Sequence, residues 1–270
     1  MRHITIIIGF ILIHNICCGQ ISLSKDSVEG ILTHSPAFSI YKDNYFIAGT
    51  ALGETPNKYN SDAKFQFSFK QRLINKPFGK DLFLYLTYTQ KSFWDIFQTS
   101  SPFGETNYNP GLLLVMPTFK SNHFNGIWLF SVEHESNGKD SLDSRSWNFV
   151  SVGYGHFFSS RFIVSLKAWI PFGLSDNPDL MDYIGYGELQ IQWTIKEDKL
   201  FLNFIGRKGA TWDAKGSMQT SIAYCPFKNK TLCLMLQWWQ GYAESLIDYK
   251  ENKSMLRFGL LIKPSFYRFY

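Results

Sequence analysis

The chain has 270 residues, a formal net charge of +5, and nearly as many aromatic residues (17%) as charged ones (18%). Charge of this size, spread along the sequence, excludes a nucleic-acid footprint, and without any Pro-, Gly- or Ser-rich linker one domain is the simplest organisation. The 25 Phe, 14 Tyr and 8 Trp exceed what a soluble core needs, but two interfacial girdles around a membrane barrel use that many.

Arg2 and His3 precede the apolar run Ile4–Ile13, and Cys17-Cys18-Gly19 offers small residues for a signal peptidase. Residues 1–19 therefore read as a signal peptide cleaved near Gly19, with lipid modification at Cys17 or Cys18 as the alternative. The run is too short to span a bilayer as a helix, and nothing after Gln20 approaches 18 unbroken apolar residues. Residues 20–37 are expected to form an N-terminal periplasmic segment. If the exported chain sits in a membrane, it does so as a closed β-barrel, the one other architecture that pairs every backbone group.

Period-2 segments follow in series. Phe65, Phe67 and Phe69 alternate with Lys64, Gln66, Ser68 and Lys70; later, Leu189, Ile191 and Trp193 alternate with Glu188, Gln190 and Gln192. Twelve strands are predicted: Ser39–Ala51, Ala63–Arg72, Asp81–Phe93, Asn107–Lys120, Asn125–Glu135, Ser146–Phe157, Arg161–Ile170, Asp182–Thr194, Lys199–Lys208, Gly216–Tyr224, Thr231–Tyr242 and Ser254–Pro264. Short connections such as Phe158–Ser160 alternate with long ones such as Trp94–Thr106, Asn137–Arg145 and Pro171–Met181. The expectation is an all-β fold: an antiparallel twelve-stranded transmembrane β-barrel of the bacterial outer membrane over residues 38–270, its long loops outside and its aromatic C-terminus closing the last strand. A soluble β-sandwich is the competing reading. Cys225 and Cys233 flank a short turn in an oxidising compartment, where a disulfide is allowed but not dictated by spacing.

Residues Val132–Phe149 carry the chemistry. His134 and Ser136 share parity with Phe130 and Val132, and Asn148 shares parity with Val150 and Val152 after an intervening polar loop. A hairpin joining the two runs sets Asn148 beside His134 on an apolar outer face. His, Ser and Asn are base, nucleophile and orienting amide for acyl transfer, and their position on a greasy surface points to a lipid substrate. His34, His123 and His156 show no comparable partner spacing.

The segment His134-Glu135-Ser136-Asn137-Gly138, followed by Ser144-Arg145-Ser146-Trp147-Asn148, resembles the active-site signature of outer membrane phospholipase A. Thr89-Gln90-Lys91-Ser92 with Trp94, Ser100 to Tyr108, and Gly241 to Tyr249 resemble three further blocks of that family in order. The resemblance implies a homodimeric, calcium-dependent outer-membrane enzyme hydrolysing acyl-ester bonds of phospholipids and lysophospholipids. It implies Ser136 as nucleophile, His134 as general base, Asn148 as the group orienting His134, and Gly138 as backbone oxyanion donor. It further implies calcium held by the Lys139 carbonyl, the Ser144 side chain and Ser100 of the second subunit, with Gln90 at the dimer interface. Lys139 stands where the family has Arg, Gly104 replaces a common Arg, Glu135 replaces Asp, and Asp140-Ser141-Leu142-Asp143 departs from the family's Ser-Asp-Pro-Thr. A non-catalytic barrel, a channel or adhesin on the same framework, is the alternative.

Overall fold

The computed structural model describes residues 23–79, 81–227 and 231–263. The signal-peptide reading and the aromatic C-terminus fall outside them. Twelve antiparallel strands close into a barrel: β2 (Asn44–Ala51), β3 (Ser61–Asn75), β4 (Phe83–Trp94), β5 (Phe103–Lys120), β6 (His123–Ser136), β7 (Ser146–Phe157), β8 (Phe162–Phe172), β9 (Gly187–Lys196), β10 (Leu200–Lys208), β11 (Gly216–Tyr224), β12 (Leu232–Gly241) and β13 (Lys253–Ile262). Each pairs with its neighbour in sequence, and β13 pairs with β2 to shut the cylinder, so no barrel strand is left with an open edge. The period-2 pattern decides which face meets lipid: on β3 Phe67 is 50% exposed, whereas neighbouring Lys64 and Ser68 are buried inside.

Two predicted strands are interrupted or shortened in the structure, while two run longer than predicted, β3 to Asn75 and β5 from Phe103. The segment read as Ser39–Ala51 is interrupted: a short β1 (Phe38–Ile40) and β2 both pair with β3, but four residues, 41–44, stand opposite two, 67–68. The surplus bulges inward and turns Tyr41 and Lys42 into the lumen, where the polar interior receives them. The segment read as Asp182–Thr194 begins instead as a short helix, Leu180–Ile184, and the strand starts only at Gly187. The cause is tertiary: Leu180, Met181 and Ile184 are buried against Trp147, Phe149, Trp169, Leu246 and Tyr249. Cys225 and Cys233, left open by their spacing, form a disulfide across the β11–β12 turn.

Both ends of the lumen are covered. At the short-turn end, helix α1 (Lys25–His34) starts at Ser24, whose hydroxyl accepts the Ser27 N–H, and buries Val28 and Leu32 against inward-facing Phe83, Tyr85, Leu113 and Phe124. Lys25 pairs with Asp81 and Lys76 with Glu29, both at 2.8 Å. At the long-loop end the β12–β13 loop dips inward, and buried Glu244 takes Lys64 at 3.0 Å and Arg257 at 2.6 Å. Between the covers lies a cavity of about 310 Å³ lined by groups such as Lys42, Lys91, Glu133, Glu135, Lys167 and Arg207.

Candidate active site

The catalytic candidates sit where β6 and β7 approach the long-loop end. His134 and Asn148 are direct cross-strand partners, as are Ser136 and Ser146. Their outward neighbours are lipid-facing: Val132 is 51% and Val150 48% exposed. Because side chains alternate, the register that turns Val132 outward also turns His134 and Ser136 outward, and the same holds for Val150 and Asn148. Asn148 Oδ1 accepts a hydrogen bond from His134 Nδ1 at 2.9 Å. An amide oxygen can only accept, so this contact puts the imidazole proton on Nδ1 and leaves the Nε2 lone pair free to act as a base. From the opposite side Asn109 Nδ2 donates to the His134 carbonyl at 2.9 Å and fixes the backbone beneath the ring. The Ser136 hydroxyl has no hydrogen-bonding partner among the described residues, and Tyr108 on β5 is its cross-strand neighbour. Glu135, of opposite parity, points inward and accepts the Trp147 indole N–H at 3.0 Å.

The loop after Ser136 is organised by Asn137, which in the sequence stands only as one residue of the His134–Gly138 motif. Its side-chain oxygen accepts from the Arg145 N–H at 3.0 Å and the Lys139 N–H at 3.3 Å, while its amide donates to the Asp143 carbonyl at 2.8 Å. One buried side chain thereby closes the loop. Gly138 has φ +67°, the left-handed region that favours glycine, and a Cβ there would meet the Tyr108 ring at 3.0 Å. Lys139 sends its ammonium to the Gly104 carbonyl and to buried Glu105, both at 3.1 Å, so the side chain departs while the main-chain carbonyl stays with the loop.

Ser144 donates to Asp176 Oδ2 at 2.7 Å and Ser146 to the same oxygen at 3.0 Å. These two hydroxyls, Ser144 first, hold the Asp176 carboxyl below the usual carboxylate range. Asn177 beside it accepts the Ser146 N–H at 3.0 Å. Neither Asp176 nor Asn177 was legible as a site residue, because they lie some thirty residues downstream on the β8–β9 loop and join the site only because β8 pairs with β7. The donors gathered near Ser144 are hydroxyl, carboxylate and carbonyl oxygens, a set that suits calcium. Asp140 precedes and Asp143 ends a 3-10 turn (Ser141–Asp143) of exposed residues. Ser100 lies apart, in the β4–β5 loop. It is exposed, at φ +65°, with no hydrogen-bonding partner among the described residues, whereas Ser101 spends its hydroxyl on the Ile96 carbonyl. Gln90 faces outward on β4, where Tyr88 donates to its oxygen at 3.0 Å and its NH2 donates to Ser92 at 3.2 Å.

A family model described as phospholipase A1 matches residues 24–262. The chain belongs to the phospholipase A1 family. Within that family it is 34% identical over 221 residues to the phospholipase A1 proteins of Salmonella typhimurium and Escherichia coli K12, covering 78% of this chain and 72% of each relative. A putative phospholipase A1 of Neisseria meningitidis is 28% identical over 263 residues, covering 88% of this chain and 68% of that one. The outer membrane phospholipase A of Escherichia coli superposes with a TM-score of 0.74 at 28% identity, covering 85% of this chain and 94% of its own. A Salmonella typhi outer membrane phospholipase, solved as a dimer with bound calcium, matches equally well. By family and fold the protein is an outer-membrane phospholipase.

Proposed function

We propose that the protein is a calcium-dependent phospholipase, acting at sn-1 and sn-2 ester bonds of phospholipids and lysophospholipids, whose triad of Ser136, His134 and Asn148 works at the outer-leaflet edge of the barrel. The carrying observation is the 2.9 Å contact between His134 Nδ1 and Asn148 Oδ1 on a surface that otherwise faces lipid. His134 Nε2 takes the Ser136 proton as Oγ bonds to the ester carbonyl carbon. The tetrahedral adduct collapses, the ester C–O bond breaks, and His134 returns its proton to the departing lysolipid oxygen. Water then attacks the acyl-Ser136 carbon, giving its proton to His134; the C–Oγ bond breaks, free fatty acid leaves and Ser136 is reprotonated. Asn148 holds the imidazole in the tautomer both half-reactions need. A neutral amide supports the imidazolium less than a carboxylate would, but it places no anion at the lipid boundary. The Gly138 N–H is the backbone donor to the developing oxyanion.

The Lys139 carbonyl and Ser144 Oγ would hold calcium, beside the Asp176 carboxylate, and Ser100 of the partner subunit would complete the set. Bound there, calcium supplies positive charge to the transition-state oxyanion. Dependence on a second subunit is supported by the position of Ser100, whose free hydroxyl is on a different loop from Ser144. Gln90, with Tyr88, Ser92 and Thr106, forms a polar strip on the outer face suited to contact between subunits in lipid.

The test is hydrolysis of a fluorescent phospholipid by refolded protein in detergent. Turnover should require calcium and vanish on chelation; calcium-independent turnover would overturn the proposal. Ser144→Ala should raise the calcium concentration needed for half-maximal rate on the order of tenfold, since one of the ligands is lost. The calcium requirement also has a predicted pH signature. The Ser144 and Ser146 hydroxyls hold Asp176 below its ordinary range, so it stays charged to lower pH than an ordinary aspartate, and its help to the cation is lost only as pH falls through that lowered value. Calcium titrations from neutral to mildly acid pH should therefore show no loss assignable to Asp176, whereas Asp176→Asn should raise the requirement across the whole range.

A further inference from the structure

An amide side chain has two ends of nearly equal size, and only one of them can accept the His134 N–H. Something must hold Asn148 with Oδ1 toward the ring. The β7–β8 ladder ends at the pair Asn148↔Phe172, and the next residue, Gly173, turns with φ +67° directly behind the amide. A Cβ built on Gly173 would lie 2.7 Å from Asn148 Nδ2 and 3.9 Å from its Cγ. Nitrogen and carbon cannot approach to 2.7 Å without displacement, so the NH2 end of Asn148 occupies space that exists only because residue 173 has no side chain. The Oδ1 end meanwhile reaches His134 Nδ1 at 2.9 Å.

We propose that Gly173 is a positioning residue for the triad: its bare backbone leaves the pocket that seats the Asn148 NH2 group and so keeps Oδ1 on His134. The inference rests on the catalytic reading above and extends it to the residue that follows a third strand, β8. The group that must move when the pocket is filled is the tip of one side chain, not backbone, so the barrel can absorb the change. The catalytic contact cannot, because a shifted or rotated amide breaks the His134 hydrogen bond or presents NH2 to a ring N–H.

The experiment is a double-mutant cycle in refolded full-length protein, with kcat and KM on a fluorescent phospholipid at saturating calcium and thermal unfolding measured in parallel. Gly173→Ala should lower kcat roughly tenfold or more, as small displacements within a catalytic constellation do, leave KM unchanged, and lose no more than Asn148→Ala loses. In the Asn148→Ala background, Gly173→Ala should leave kcat unchanged, because the group it displaces is gone. Backbone strain at positive φ acts in both backgrounds alike, and Gly173→Asn separates it: asparagine tolerates that φ but brings the same Cβ, and should lose kcat as alanine does. Equal kcat losses from Gly173→Ala in both backgrounds, full activity of Gly173→Ala, or full activity of Gly173→Asn would each overturn the proposal. If Asn148→Ala itself leaves kcat intact, the triad reading has failed, and the positioning role with it; if Asn148→Ala is impaired and Gly173→Ala is not, the positioning role alone has failed.

Discussion

Ser136→Ala is expected to reduce phospholipid hydrolysis by a factor on the order of 10⁴ to 10⁶, as removal of a triad nucleophile does elsewhere, while leaving the barrel as stable as before. The activity loss follows from the proposed mechanism, in which the Ser136 hydroxyl gives its proton to His134 and attacks the ester carbon. The unchanged stability follows from the surroundings: the Ser136 hydroxyl has no hydrogen-bonding partner among the described residues, so its deletion leaves no group stranded, and effects within ~0.5 kcal/mol are normal for such sites. Initial rates with and without calcium, together with heat-modifiability on gels, read the two halves separately. Appreciable turnover by folded Ser136→Ala would overturn the mechanism. A loss of folding would instead overturn the claim that Ser136 contributes only to chemistry.

The largest effect on stability is expected at Glu244. Its carboxylate is buried between Lys64 at 3.0 Å and Arg257 at 2.6 Å, and Arg257 also pairs with Asp62 at 2.6 Å. Glu244→Ala leaves Arg257 with Asp62, but among the described residues Lys64 then keeps no paired carboxylate, only the neutral Gln237 oxygen at 2.9 Å and the ring faces of Tyr45, Phe93 and Trp239. A buried ammonium without a counter-charge is what makes breaking such pairs costly, about 3–5 kcal/mol. The loss should appear as a lower denaturant midpoint and as new protease sensitivity in the β12–β13 loop, which Glu244 anchors inside the lumen. Glu244→Gln, which keeps an acceptor, should lose less, and Lys64→Met combined with Glu244→Leu should recover part of the loss by removing both charges. A Glu244→Ala midpoint equal to that of wild type would show that the cluster contributes nothing to holding the loop.

Much of this was written locally in the chain. The alternation of Phe65, Phe67 and Phe69 with Lys64, Ser68 and Lys70 marks one apolar and one polar face, and the barrel places the apolar face outside and the polar face inside. Eight of the predicted strands lie within two residues of the observed ones at both ends, β7 and β11 identically. Asn148 beside His134 was legible for the same reason: a hairpin with fixed parity has few registers, and only one face was apolar on both runs. The α1 cover was not, since residues 20–37 carry too weak a pattern to place on their own, and Val28 and Leu32 acquire a face only when β4, β5 and β6 present Phe83, Leu113 and Phe124 to them. Nor was the start of β9, where the apolar residues Leu180, Met181 and Ile184 fit a helix packed on Trp169 better than a strand.

The sequence by itself determined the barrel, the outward parity of His134, Ser136 and Asn148, and the family, because period-2 patterning and short contiguous motifs are properties of neighbouring residues. Tertiary structure alone decided which distant groups complete the site. Asp176 comes to Ser144 and Gly173 comes to Asn148 only because β8 is hydrogen-bonded alongside β7, and Glu244 reaches Lys64 only because β13 pairs with β2 and closes the cylinder. Contacts across twenty-five residues or more depend on which strands pair, and no local pattern encodes the side chain that pairing will bring.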